Sequence, residues 1–230
     1  MKKSFVSSLT LAATTTLFSF NICYGNFDSG TINLDYRFSQ IGLATYGPGA
    51  AAVGSPGDLW NSSDVALANQ GVSNLKKTDG LVTTVNWSVL SGAGFGITST
   101  TGQYAKLMDA GVQIASATLN NLSPLRQYEL YLFSGNWTQI IRVNGVDFAT
   151  PSLAHFGAVN TLTSGVNYDH HSVTADAFGQ LSFEGIYSQL DQYPSITSWQ
   201  LVAVPEPSCL ALIGAGTLAG LRRSRKSDSL

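Results

Sequence analysis

Alternation of apolar and polar residues with a period of two recurs along the middle of this chain. In residues 31–38 every second residue is large and apolar while its neighbours are polar, which is typical of a β-strand with one buried face. Residues 81–90 show the same spacing, which predicts that Leu81 and Val85 face a core. Further strands are predicted over residues 112–119, 127–133, 140–143, 146–148, 166–173, 180–187 and 196–204.

Turn-forming residues separate these segments. Asn144-Gly145 lies between two of them and predicts a two-residue hairpin, because both turn positions need a positive φ. Residues 42–79 are rich in glycine and proline and predict one long loop, while only residues 103–110 have helical spacing. Many short strands joined by Gly, Asn and Pro turns predict an all-β fold, either a β-sandwich or a jelly roll.

The first 25 residues are typical of a secretory signal peptide. Lys2 and Lys3 supply the positive start, residues 6–20 are mostly apolar or hydroxylated, and small residues permit cleavage before Asn26. The sequence therefore predicts an N-terminal signal helix over residues 1–25 and an exported protein. The alternative is an ordinary N-terminal helix of the folded domain.

The C-terminus has three parts in a fixed order. Pro205-Glu206-Pro207 comes first, a hydrophobic helix is predicted over residues 208–221, and a basic tail that starts with Arg222 and Arg223 occupies residues 222–230. This order resembles the PEP-CTERM sorting signal, so that residues 204–230 form a separate segment after a domain over residues 26–203. The resemblance implies a membrane transpeptidase of the exosortase type as partner, and a bacterium that produces exopolysaccharide or biofilm.

The physical properties of this segment fit transient anchoring. The basic tail should stay in the cytoplasm by the positive-inside rule. The apolar run over residues 209–221 spans about 20 Å as a helix, against a hydrocarbon core of about 30 Å. Such a segment is a weak permanent anchor, which suits a protein held at the membrane until it is processed and then placed at the cell surface or in the extracellular matrix. The alternatives are a buried C-terminal helix and a plain anchor.

Charge and cysteine content narrow the function of residues 26–203. This domain has six basic and twelve acidic residues, a formal charge of −6, which argues against nucleic acid as a partner. Its sequence contains no cysteine, because Cys23 and Cys209 lie in the two terminal segments. The exported domain must therefore be stable without a disulfide, which about 178 residues allow.

Several motifs of the domain resemble those of uncharacterised PEP-CTERM proteins with galactose-binding-like jelly rolls. The shared pieces are residues 57–61, 121–124, 128–133, 143–145 and 196–201. The resemblance implies that fold and is only weakly specific for a ligand, for which exopolysaccharide is the candidate. It also allows a structural Ca²⁺, for which Asp58 or Asp64 are candidate ligands. No other cofactor is expected.

Carbohydrate binding is the sharper of the function hypotheses. Sugar rings pack on aromatic side chains aided by planar polar groups, and a tryptophan in a loop exposes a large apolar surface that usually has a purpose. The candidates are Trp60 with its neighbours Asp58 and Asn61, and Trp137 in the loop after residue 133. Trp60 and Trp137 have an alternative role as lids on the core.

Catalysis and metal binding have weaker signals. Adjacent His170 and His171 on a strand point to opposite faces, so no more than one could bind a metal, and no metal site is predicted. No catalytic motif occurs and no catalytic residue is assigned. Paired carboxylates need only spatial proximity, so a glycan hydrolase stays an alternative. The other alternative is a structural or adhesive surface protein without a small ligand.

Overall fold

The structure, a computed structural model, describes residues 27–37, 42–45, 52–55, 57–64, 71–96, 100–101, 104, 107, 110–134, 139–150, 157–186 and 194–205. Fourteen strands occupy most of these residues, and none of the described residues lies in an α-helix. The strands are β1 Thr31–Arg37, β2 Gly42–Thr45, β3 Leu59–Asp64, β4 Gly71–Val72, β5 Asn86–Gly96, β6 Thr100–Thr101, β7 Ala110–Asn120, β8 Gln127–Ser134, β9 Gln139–Val143, β10 Val146–Thr150, β11 Gly157–Ala158, β12 Tyr168–Thr174, β13 Leu181–Ile186 and β14 Ser195–Ala203.

Twelve of these strands form two six-stranded sheets that are connected through one strand, β14. The front sheet has the order β2-β3-β1-β14-β8-β12, and the back sheet has the order β10-β9-β13-β7-β5-β4. Within these two sheets neighbouring strands are antiparallel except for β1 and β3, which are parallel, and β6 and β11 form a separate parallel pair. Strand β14 joins the sheets, because Ser195 and Ile196 pair with β7 while the residues after a bulge pair with β8 and β1.

The two sheets face each other across one hydrophobic core. Trp87 of the back sheet lies 5.5 Å from Trp199 of the front sheet and 5.1 Å from Phe183 of its own sheet, measured between ring centroids. The indole N–H of Trp87 donates a hydrogen bond of 2.5 Å to the hydroxyl of Tyr36 in the front sheet. These contacts between opposite sheets confirm the predicted all-β sandwich.

The other side of β1 is also buried, so the prediction of a strand with one solvent-facing side is wrong. Asn33 and Asp35 have no exposed surface. Gln200 of the neighbouring β14 donates to the Asn33 side-chain oxygen at 2.8 Å and to the Val53 carbonyl at 2.9 Å, and accepts from the Ala52 amide at 2.8 Å. Residues 52–53 therefore cover this side of the front sheet. The covering contact is about 150 residues distant in the chain from Gln200, which local alternation cannot reveal.

Three further predictions need correction. The predicted loop over residues 42–79 contains strands β2, β3 and β4. Within the predicted helix 103–110, the Leu107 amide donates to the Tyr104 carbonyl and closes a tight turn. Ala110 already starts β7, and the other residues of this range lie outside the described part. Leu81 is 60% exposed, because β5 starts only at residue 86. The Asn144-Gly145 hairpin is confirmed, with φ of 46° and 83°.

Both ends of the domain leave from one end of the sandwich, which we call the exit end. Here the guanidinium of Arg126 donates to the carbonyls of Asp28 at 2.7 Å and of Val204 at 2.8 Å. The amide of Ala203 also donates to the carbonyl of Gly30 at 3.0 Å. These hydrogen bonds hold the residues next to the predicted signal cleavage site close to those next to the Pro-Glu-Pro motif.

The two terminal helices predicted from the sequence, residues 1–25 and 208–221, lie outside the described residues. Within the part of the chain that the structure describes, no helix has the length and apolar character needed to cross a membrane.

Candidate functional site

Aromatic side chains cluster on the outer side of the front sheet, where β8 pairs with β12. The rings of Tyr131 and His170 stack at a centroid distance of 4.4 Å with 9° between their planes. Tyr168 lies 5.9 Å from Tyr131 and 5.7 Å from Phe133. We call Tyr131, Tyr168 and His170, which all have exposed surface, the aromatic face. His170 is the most exposed of them, with a side chain that is 42% exposed, and Phe133 lies fully buried beneath them.

The register of the two strands produces this grouping. Tyr131 pairs with His170 and Phe133 pairs with Tyr168 in the antiparallel ladder. Directly opposed residues point to the same side of a sheet and have neighbouring Cβ atoms, so two aromatic pairs stand in adjacent positions. Alternation along a single strand does not reveal this group of side chains, because the group depends on how two strands pair. The available signal was the spacing of two in Tyr168, His170 and Ser172.

Polar groups border the aromatic face. The imidazole Nε2 of His170 lies 2.6 Å from a carboxylate oxygen of Glu129, and the Glu129 side chain is 28% exposed. One strand position further, the Gln127 amide donates to the hydroxyl of Ser172. Partial burial, with the nearby charge of Glu129, raises the pKa of Tyr131, so its hydroxyl stays protonated at neutral pH. The face thus offers ring surfaces together with hydrogen-bond donors and acceptors.

His171 points to the opposite side of the sheet from its neighbour, as the sequence predicts. Its Nε2 lies 2.7 Å from a carboxylate oxygen of Asp169, and its ring packs on Phe148 at 4.0 Å. Burial lowers the pKa of His171, although Asp169 opposes this shift. Among the described residues, no three His, Cys, Asp or Glu side chains come together in a way that could hold a metal ion.

The structure corrects the expectation that Trp60 stands in a surface loop. Trp60 belongs to β3, has no exposed surface, and packs against Phe133 at a centroid distance of 6.4 Å. A ring without exposed surface cannot pack on a sugar, so Trp60 is a core residue under the aromatic face. Its burial follows from the parallel pairing of β3 with β1, which the glycine-rich surroundings concealed.

The other predicted binding residues do not gather around Trp60. Asn61 is buried and its side chain bonds the backbone of Asn33 and Lys76 at 2.8 Å, which is a structural role. Asp58 accepts a hydrogen bond of 2.9 Å from the Ser55 amide and so stabilises a turn. Trp137 lies outside the described residues, and its predicted role stays a prediction. The side chain of Asp64 lies outside the described part of the structure.

The sorting signal starts at the exit end. Pro205 is exposed and follows directly after Val204, which Arg126 holds, whereas Glu206, Pro207, Arg222 and Arg223 lie outside the described residues. Residues 203–226 match the PEP-CTERM protein-sorting motif. The motif marks the chain as exported, held at the membrane before processing by an exosortase, and then placed at the cell surface or outside the cell.

Similarity to other known proteins is low. No curated protein matches the sequence. The structure of protein YXIM from Bacillus subtilis is 10% identical with a TM-score of 0.39, covering 77% of this chain and 41% of that one. The Bacteroides uniformis beta-glucuronidase 2 is 12% identical with a TM-score of 0.35, covering 63% of this chain and 20% of that one. The chain thus spans less than half the length of either, and these similarities carry no argument about function.

Proposed function

We propose that the domain is a non-catalytic carbohydrate-binding module of the cell surface or extracellular matrix, and that it binds exopolysaccharide at the aromatic face. The galactose-binding-like jelly roll that the sequence resemblance implies is part of this proposal. The observation that carries it is the stack of Tyr131 on His170 beside the carboxylate of Glu129.

The chemistry of this group of side chains suits a sugar. Aromatic rings offer apolar surface for the C–H face of a pyranose ring, and a small number of placed polar groups orient a ligand. A carboxylate oxygen is a strong acceptor for sugar hydroxyls. The rings also stand on strands of a rigid sandwich, so little side-chain ordering is needed on binding. Trp137, in the loop that follows β8, is proposed as an additional contact.

Binding without catalysis is supported by the position of Glu129 on the front sheet, whereas Asp147 and Glu184 lie on the back sheet. Glu129 is bonded to His170, and Asp147 and Glu184 share the guanidinium of Arg142. A glycosidase needs one carboxyl group to protonate the leaving oxygen and another as nucleophile or base. We expect no turnover of any polysaccharide in a panel assayed across pH, and measurable hydrolysis would contradict this part of the proposal.

Retention on the polysaccharide of the host in affinity electrophoresis tests the site. Glu129→Gln is expected to weaken binding about tenfold, because a hydrogen bond to a charged group contributes about 1.5 kcal/mol or more. Glu184→Gln is the matched control, since Glu184 is an exposed carboxylate on the back sheet. Trp137→Ala should reduce retention without lowering the melting temperature. Equal retention of the wild type, Glu129→Gln and Trp137→Ala would refute this site.

A second candidate is a structural or adhesive surface protein without a small ligand. It is favoured by the burial of Trp60, Trp87 and Trp199, which leaves no described tryptophan at the surface. Under this alternative, the wild-type protein shows no retention on any polysaccharide but still accumulates at the cell surface.

A further inference from the structure

Large apolar side chains are exposed mostly at one end of the sandwich. Eight are strongly exposed among the described residues, and five of these lie at the exit end. The five are Leu81, Val82, Leu125, Val146 and Phe178, with exposed fractions from 56% to 88%. Exposed apolar side chains gathered at one end of a domain suit a surface that meets a partner or a membrane.

Hydrogen bonds tie the loops that carry these five residues to one another. The side-chain amide of Asn121 donates to the carbonyl of Thr84 at 2.9 Å, and the amide of Leu122 donates to the carbonyl of Gly179 at 2.9 Å. The Asn144 side chain, in the turn before Val146, donates to the carbonyl of Thr174 at 2.9 Å. The apolar side chains are therefore held in place at the same end as Arg126.

The sorting signal leaves the domain from this same end without a linker. Val204 is held by Arg126, and the apolar run of the signal starts at Cys209, four residues after Pro205. Four residues span at most about 14 Å when fully extended. While the C-terminal segment is in the membrane, the exit end must therefore lie within that distance of the bilayer surface.

We propose that the exit end is a membrane-contact surface, and that its exposed apolar side chains rest in the interfacial region of the bilayer until the chain is processed. Phe178 and Leu125 are the main contacts, because they are 88% and 70% exposed. Phenylalanine and leucine on a polar scaffold are the side chains with which peripheral proteins enter this interface. The contact supplements a C-terminal segment that is short for a stable anchor.

The charges at the exit end indicate that the contact is apolar rather than electrostatic. Acidic side chains stand among the loops: Asp79 accepts from the Leu81 amide, and Asp176 accepts from the amides of Phe178 and Gln180. Lys76 and Lys77 lie beside these carboxylates, since the Lys77 amide donates to the Leu81 carbonyl and Lys76 pairs with Val82. The opposite charges offset one another and give no net attraction to anionic lipid. The contact should therefore form on zwitterionic phosphatidylcholine and be insensitive to salt.

Environment-sensitive fluorescent labels on the full chain test this proposal. The native cysteines at positions 23 and 209 are replaced by serine, and single cysteines are introduced as Phe178→Cys, Val82→Cys or Val166→Cys. Val166 is the matched control for Val82, because it is 53% exposed against 64% but precedes β12, at the opposite end of that strand from the exit end. The proteins are reconstituted into phosphatidylcholine vesicles, isolated by flotation, and exposed to lipids that carry a quencher.

We expect the labels at positions 178 and 82 to be blue-shifted and to lose most of their emission to the quencher, and the label at 166 to keep its emission at any salt concentration. If the labels at 178 and 82 behave like the one at 166, the lipid contact is wrong. Crosslinking from position 178 to a membrane protein in cells, without quenching in vesicles, would assign the surface to a protein partner instead. None of these results depends on carbohydrate binding.

Discussion

Replacing Arg126 by methionine is expected to loosen the exit end and destabilise the whole domain. Arg126 is only 8% exposed, and its guanidinium donates to two backbone carbonyls, one in the N-terminal and one in the C-terminal segment of the domain. Methionine preserves much of the apolar stem of the side chain but removes every donor. The carbonyls of Asp28 and Val204 would then lose a charged partner.

The magnitude follows from the two bonds. A hydrogen bond that involves a charged group contributes about 1.5 to 3 kcal/mol, so the lower limit for two bonds is about 3 kcal/mol. The ion pair with the Asp28 carboxylate adds little, because that side chain is 53% exposed and its Oδ1 is 3.5 Å away. For a domain of this size, about 3 kcal/mol lowers the melting temperature by about 6 to 12 °C.

Thermal unfolding of the detergent-solubilised full chain measures this loss, with Arg142→Met as the control. Arg142 pairs with Asp147 and Glu184 on the exposed side of the back sheet, so its replacement should change the melting temperature far less. Hydrogen exchange should also show faster exchange of the Ala203 and Val204 amides in Arg126→Met. If the two variants have equal melting temperatures and both amides stay protected, Arg126 does not stabilise the contact between the N- and C-terminal segments of the domain.

Three further changes test the core. Gly185→Ala should destabilise the domain by about 3 kcal/mol or more in urea titration, because the new Cβ would lie 1.9 Å from the Ile114 carbonyl oxygen. Trp87→Phe should cost about 1 to 3 kcal/mol, because the buried Tyr36 hydroxyl loses its partner. Burial lowers the pKa of His171 from its ordinary 6.5, so below that pH the native state binds fewer protons than the unfolded state. The urea midpoint should therefore fall as the pH decreases through about 6.5, and His171→Gln should weaken this dependence.

Each of these predictions has a control and a contrary outcome. Gly145→Ala has open space around the new Cβ and should cost only the strain of its positive φ, about 1 to 2 kcal/mol; an equal loss at Gly185 would contradict the steric argument. Adding Tyr36→Phe to Trp87→Phe should not increase the loss, because both partners of the bond are then absent. An unchanged pH dependence in His171→Gln would assign the acid sensitivity to another group.

Local patterns predicted the elements whose cause is local. The hairpin at Asn144-Gly145 depends on the backbone angles of two residues, and β13 alternates buried and exposed side chains along its own length. Both can be identified from a short window of sequence. The all-β class follows, because many such short elements exclude a helical core.

Features that depend on distant contacts could not be predicted in this way. The second buried side of β1 exists because Gln200 binds residues 52–53, and the burial of Trp60 depends on the parallel pairing of β3 with β1. The aromatic face needs the register of β8 against β12, which places Tyr131 opposite His170. Alternation identifies the sides of one strand but not the partner that covers them.

The position of β14 has a mechanical consequence for an anchored surface protein. The sorting signal continues directly from this strand, which lies between β1 and β8 in the middle of the front sheet. Hydrogen bonds of an antiparallel ladder stand perpendicular to the strands. Tension from the membrane therefore acts along β14 and loads its bonds on both sides together in shear. An edge strand pulled in the same direction would carry the load through the bonds of one side only.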